Sequence, residues 1–152
     1  MPPALYRPIL LALATLFLSA TAEARNSAKP IDYSGVYACK GEDAQEGPYT
    51  GTVTLQRVPA HSRSSYSAYT FTLEVPGYGA YPGHGVLQGR HMAIYFANTD
   101  PTPRDFGTGL ATFNRNRAGR VSFTKFYYQP EFKGGNHGLE TCVRQPVVAT
   151  SP

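Results

Sequence analysis

Apolar and polar residues alternate along most of this chain, and they seldom recur at helical spacing. Tyr69, Phe71, Leu73 and Val75 stand against Thr70, Thr72 and Glu74, the period of two expected of a strand with one face turned from water. In Thr50–Val58, Gly51, Val53 and Leu55 oppose Thr52, Thr54 and Gln56, and in His91–Asn98 the residues Met92, Ile94 and Phe96 share a side. Arg120–Gln129 sets Val121, Phe123 and Tyr127 against Ser122 and Thr124, although Lys125 and Phe126 blur its faces. Gly35–Lys40, Gly85–Gln88, Gly109–Asn114 and Leu139–Gln145 complete a set of eight predicted strands. Ala60–Val75 is the longest stretch without Gly or Pro after residue 30, and could hold a helix of roughly 10–12 residues. Its second half alternates, so a strand is predicted there too.

The connections read as hairpins. Gly89-Arg90 is a tight, Gly-led turn, and Arg115–Gly119 is a polar tip. Pro130–Gly138 holds the turn signal Gly134-Gly135-Asn136, whereas Val75–Gly83 is a Gly/Pro/Tyr loop too irregular for a strand. Consecutive hairpin-linked strands with one apolar face each predict an all-β fold. A single antiparallel up-and-down β-barrel of about eight strands, which leaves no open edge, is the expected architecture; a β-sandwich is the alternative.

The first residues carry a different pattern. Arg7 precedes the apolar run Ile9–Leu18, and small residues then lead to Ala22-Glu23-Ala24. This is the layout of a secretory signal cut after Ala24, and the run falls short of the roughly 20 apolar residues that span a bilayer. The predicted organisation is a signal peptide over 1–24, a flexible N-terminal tail over 25–32, a barrel domain over 33–146 and a flexible C-terminal tail over 147–152. A periplasmic or secreted address follows. The net charge of +4 is mild; it suits an acidic partner or an anionic surface, and export argues against nucleic acid.

Export also bears on Cys39 and Cys142, the only cysteines in the chain. An even count in an oxidising compartment predicts a disulfide, closing a loop of about 100 residues worth on the order of 4–5 kcal/mol by chain entropy. If Cys39 lies opposite Cys142 where the first and last strands close the barrel, facing residues have numbers summing to a constant, and Tyr37 then faces Arg144.

Gly35-Val36-Tyr37 at the start of the first strand, with Arg144 near the end of the last, resembles the signature of the calycins: lipocalins, fatty-acid-binding proteins and avidins. Tyr37 stands where that family normally carries Trp, of which this chain has none. The resemblance implies an aromatic ring packed under the Arg side chain at the closed end, with Gly35, Tyr37 and Arg144 forming the closure, and an open end able to hold a small ligand.

Candidate chemistry is sparse. With 11 Tyr and 8 Phe, the chain has rings that present an apolar body and a polar tip to a ligand. The expected ligand-binding residues are Tyr69, Tyr78, Tyr81, Tyr95 and Tyr127, with Tyr78 and Tyr81 roofing the mouth. His61, His84, His91 and His137 lack metal-ligand spacing, no G-x-S-x-G is present, and paired cysteines offer no nucleophile. Glu42, Asp43 and Glu46 read as a solvated turn, and Arg115, Arg117 and Arg120 as a hairpin tip able to meet an acidic protein or an anionic surface. The expectation is therefore a non-enzymatic, exported, monomeric binding protein that is not membrane-integral and uses no cofactor or metal. Its partner is a small apolar or amphipathic molecule taken into the barrel or, alternatively, an envelope protein, as for an inhibitor or immunity factor of an envelope enzyme. An inhibitor needs protruding loops, for which Pro76–Pro82 and Gly134–Gly138 are the candidates. If Phe71, Leu73, Ile94, Phe96 and Phe123 fill the interior, a swallowed ligand has no room.

Overall fold

Eight strands follow one another around a closed barrel in chain order. They are β1 (Gly35–Asp43), β2 (Gly47–Arg57), β3 (Ser67–Val75), β4 (Gly79–Gln88), β5 (His91–Ala97), β6 (Phe106–Arg115), β7 (Val121–Gln129) and β8 (Asn136–Arg144). Every neighbouring pair is antiparallel, including β1 with β8, so the fold is the expected up-and-down barrel. These coordinates come from a computed structural model that describes residues 31–146; the predicted signal peptide, residues 25–30 and the tail 147–152 lie outside the described residues. Among the described residues no helix is long and apolar enough to cross a membrane.

The closing register is the one the cysteines predict. Cys39 is opposite Cys142 and Tyr37 is opposite Arg144, and the two sulfurs are bonded across 103 residues of chain. Both cysteines point into the barrel, 2% and 0% exposed, because inward and outward positions alternate along each strand.

One segment departs from the prediction. Val75–Gly83 is not an irregular loop: only Pro76–Tyr78 turn, and β4 already begins at Gly79. Gly77 and Gly79 adopt positive φ at the turn, whereas Gly83 answers to crowding. A Cβ at Gly83 would stand 1.8 Å from the carbonyl oxygen of Tyr95, so only glycine lets β4 lie that close to β5. Tyr81, within this stretch, is an inward-facing strand residue and not a loop tip.

Inside, side chains meet across the axis. Phe71, Leu73, Ile94, Phe96 and Phe123 are all buried, as expected of eight strands, whose interior is just wide enough for its own side chains. The end where β1 begins and β8 finishes is shut by Tyr33. Its ring lies 4.4 Å from that of Phe113, which packs at a tilt against Phe123 with centroids 4.9 Å apart. Its backbone is tied on both sides, the amide donating to the Tyr69 hydroxyl and the carbonyl accepting from the Tyr37 hydroxyl. Gly35 makes room for Arg144, whose guanidinium donates to the carbonyl of Ser34.

Candidate functional site

At the opposite end the interior changes character. Inward positions of β7 read Val121, Phe123, Lys125, Tyr127 and Gln129, and those of β8 read Cys142, Glu140, Gly138 and Asn136. Period two is strict, so Lys125 points in and Phe126 points out. Cross-strand register then sets Lys125 against Glu140, and their charges meet at 3.1 Å with both side chains buried. The ammonium also sits 4.9 Å from the centre of the Phe71 ring and 5.5 Å from that of Phe96, close enough for cation–π attraction.

Around this pair runs a polar lattice. Tyr49 donates to Glu140 at 2.8 Å. Asp43 accepts from the Tyr127 hydroxyl at 2.6 Å, from Asn136 Nδ2 at 2.8 Å and from the backbone amides of Gln45 and Glu46. Asn136 donates as well to Gln129 Oε1; Gln129 in turn donates to Asp105, which also accepts from Tyr81 at 2.8 Å. Asp43 is therefore not the solvated turn residue its sequence context predicts. Burial pushes its carboxyl up, yet the bonds from Tyr127, the Glu46 and Gln45 amides and Asn136 outweigh that and hold it below the usual carboxylate range. Burial first, and then their carboxylate neighbours, raise the hydroxyls of Tyr49, Tyr81 and Tyr127 above the ordinary phenol.

The mouth is shallow. Its cavity is about 50 Å3, lined among others by Tyr78, Tyr81, Phe96, Lys125 and Tyr127. Sites for drug-sized ligands run roughly 300–1,000 Å3. Three of the five predicted ligand tyrosines, Tyr78, Tyr81 and Tyr127, do converge there, with Tyr78 on the rim donating to Glu46. Tyr69 lies at the closed end against Tyr33 and Asp32, and Tyr95 is on the outer wall, 51% exposed. Of the described residues only Cys39, Glu140 and Cys142 gather closely enough to share a metal ion, and their sulfurs are already bonded to each other. Glu140 Oε1 is 3.1 Å from the Cys142 sulfur, a packing contact, since a disulfide sulfur has no proton to donate.

The outer wall holds what the strand-by-strand reading missed. Register links Val86, Ala93, Leu110, Phe126 and Leu139 into one row across β4–β8. Beside it runs a second row, His84, Tyr95, Thr108, Tyr128 and His137. Large side chains of these rows are about half exposed, Leu110 most of all at 68%. They wall an open groove of about 650 Å3 floored by Gly85, Ala93, Thr108 and Gly109. Many outward residues of β1–β3 are by contrast polar and exposed, among them Lys40, Glu42, Thr50, Thr54, Gln56, Thr70 and Glu74, and Val36 is the one large exposed apolar side chain on those strands. Each outward residue looked unremarkable in its own strand; only the register, which sequence alone does not give beyond the disulfide pair, aligns them.

No protein-family model matches this chain, and no curated protein is significantly similar to it.

Proposed function

We propose that this chain is an exported, non-catalytic protein-binding module, a filled barrel that presents the outer wall of β4–β8 to a protein of the cell envelope. The observation that supports this reading is the pair of adjacent rows of half-exposed Val86, Tyr95, Leu110, Phe126, Tyr128 and Leu139 outside, set against a mouth cavity of about 50 Å3. A groove of similar volume outside β1, β2 and β8 is lined by Ala38, Lys40, Thr50 and Thr52 and has no such rings. Contiguous exposed apolar surface of a few hundred Å2 on a monomer is often functional, and rings at half exposure supply the large, rigid contacts that dominate interfaces. The polar outer faces of β1–β3 fit aqueous surroundings, since a lipid-embedded barrel needs an apolar band about 25 Å tall on every strand. Export is proposed from the N-terminal pattern and agrees with the disulfide. The calycin likeness is proposed as a shared barrel plan, supported by the facing of Tyr37 and Arg144.

A photo-reactive amino acid placed at Leu110 in the producing cell tests this reading. A discrete protein adduct from Leu110, and none from the polar-wall position Thr54, is expected. No adduct from Leu110, together with a small molecule retained by the purified barrel in native mass spectrometry, would sink it.

A second reading has its own observation, the convergence of Tyr78, Tyr81 and Tyr127 on the mouth. A cavity of that size takes a head group of a few heavy atoms and leaves any tail in solvent.

A further inference from the structure

We propose that the closed end of the barrel is a docking face for an anionic lipid surface, because the topology places exposed arginines on three quarters of its rim and the half-buried Arg144 on the fourth. In an up-and-down barrel the β2–β3, β4–β5 and β6–β7 connections share one end with the start of β1 and the end of β8. Arg63 stands in the first connection and Arg90 in the second; Arg115, Arg117 and Arg120 stand in or beside the third. All five are exposed, and none pairs with a carboxylate among the described residues. Arg144 occupies the remaining quarter, where the chain leaves β8.

Counting round eight strands, the Arg63 loop and the Arg115–Arg120 hairpin lie on opposite sides of the rim, with Arg90 midway and Arg144 facing it. The charge is therefore a ring and not a spot. Asp32 is the single carboxylate at this end among the described residues; the others, such as Glu46, Asp100 and Glu131, lie in the mouth half. The molecule is electrically polarised along its axis.

A ring of charge selects for a flat counterpart. A folded acidic protein would engage one or two neighbouring tips, whereas a plane of phosphate groups meets every quarter at once. Tyr66, in the Arg63 loop, and Ile31, where the chain enters, add exposed apolar side chains at the same end, suited to the headgroup layer where Tyr collects. Standing on this end, the barrel would hold its mouth away from the surface and its β4–β8 wall to the side, so the docking face is separate from the wall proposed above.

Sedimentation of the purified protein with vesicles of phosphatidylglycerol and phosphatidylcholine, against vesicles of phosphatidylcholine alone, tests the proposal. Binding to the anionic vesicles only is expected, weakening as salt shortens the screening length. Each arginine near an anionic surface contributes about fivefold, the equivalent of about 1 kcal/mol. The exposed double variant Arg90→Gln/Arg117→Gln should therefore lose roughly 25-fold in partitioning, while Glu131→Gln at the mouth should lose nothing. Circular dichroism of both variants confirms that the barrel is intact. Equal partitioning to the two vesicle types, or equal losses from the two ends, would overturn the proposal. A complex with soluble poly-glutamate as tight as that with the vesicles would overturn it as well, assigning the ring to an acidic protein.

Discussion

From Tyr33 up to Cys142 the barrel is filled with rings and methyl groups: Tyr37, Val53, Met92, Phe113 and Phe123, all at most 2% exposed. From Glu140 to Asn136, only a few residues along the same strand, it is filled with carboxylates, an ammonium, amides and hydroxyls bonded to one another. Both halves are built of buried side chains, held by different kinds of free energy. Burial of the rings stabilises in proportion to area, about 25 cal/mol per Å2 of apolar surface, so it is graded and tolerant. A buried polar lattice is stabilising only when every member has its partner, and one missing partner leaves a desolvated charge behind. The mouth half is thus the brittle half. The disulfide marks the border, with Glu140 packed against one of its sulfurs.

Cutting that border should have the largest effect. Cys39→Ala/Cys142→Ala releases a loop of 103 residues, and urea unfolding is expected to report a loss of about 4–5 kcal/mol. A loss under about 1 kcal/mol would mean that the unfolded chain is held compact by something else. The next largest effect separates the halves directly. Lys125→Met strands the Glu140 carboxylate and should cost about 3–5 kcal/mol, whereas Lys125→Met/Glu140→Leu removes both charges and should return most of that loss. No second substitution is expected to rescue a ring deletion such as Phe123→Ala so fully, because its cost is a cavity. If the double variant is no better than Lys125→Met alone, the pair is not an isolated unit within the lattice.

The alternation of Tyr69–Val75 or His91–Asn98 made the barrel legible, because period two has one physical cause, a shielded face, and hairpin signals between strands leave few topologies. The Cys39–Cys142 pairing even fixed the closing register. The mouth was harder to read. Lys125 obscured its strand because a charge on the inward side contradicts the rule that generates the pattern, and its partner lies 15 residues away, opposite it only through the β7–β8 register. The signal was present in Cys142: once that residue points inward, period two turns Glu140 inward as well. In sequence Asp43 reads as a solvent-facing turn residue because its partners Tyr127 and Asn136 are distant along the chain. The outer rows of β4–β8 involve no such contradiction; they were invisible because a row across strands has no signature within any one strand.

Tyr127→Phe makes the smallest change and asks whether the lattice acts through charge. At neutral pH it removes the 2.6 Å bond to Asp43, a bond to an ionised group that is expected to contribute about 1.5–3 kcal/mol. Because the folded-state pKa of Asp43 is depressed, its contribution is present above its unfolded value of about 3.9 and is lost as pH falls through the lower folded value. The variant, whose Asp43 is less depressed, has less to lose over that acid range, so the stability gap between the two proteins should narrow. Tyr127 itself titrates with the opposite sign. Burial first, and then Asp43, raise its hydroxyl, so its contribution is present below its unfolded value of about 10 and is lost as pH climbs above it. Phenylalanine has no such proton to lose, and the gap should narrow there too, while Tyr37, Tyr49 and Tyr81 weaken both proteins alike. Urea midpoints across pH would therefore trace a difference that is widest between the two titrations. A constant difference from pH 3 to pH 11 would show that Tyr127 serves the mouth by filling space, as the rings do at the other end.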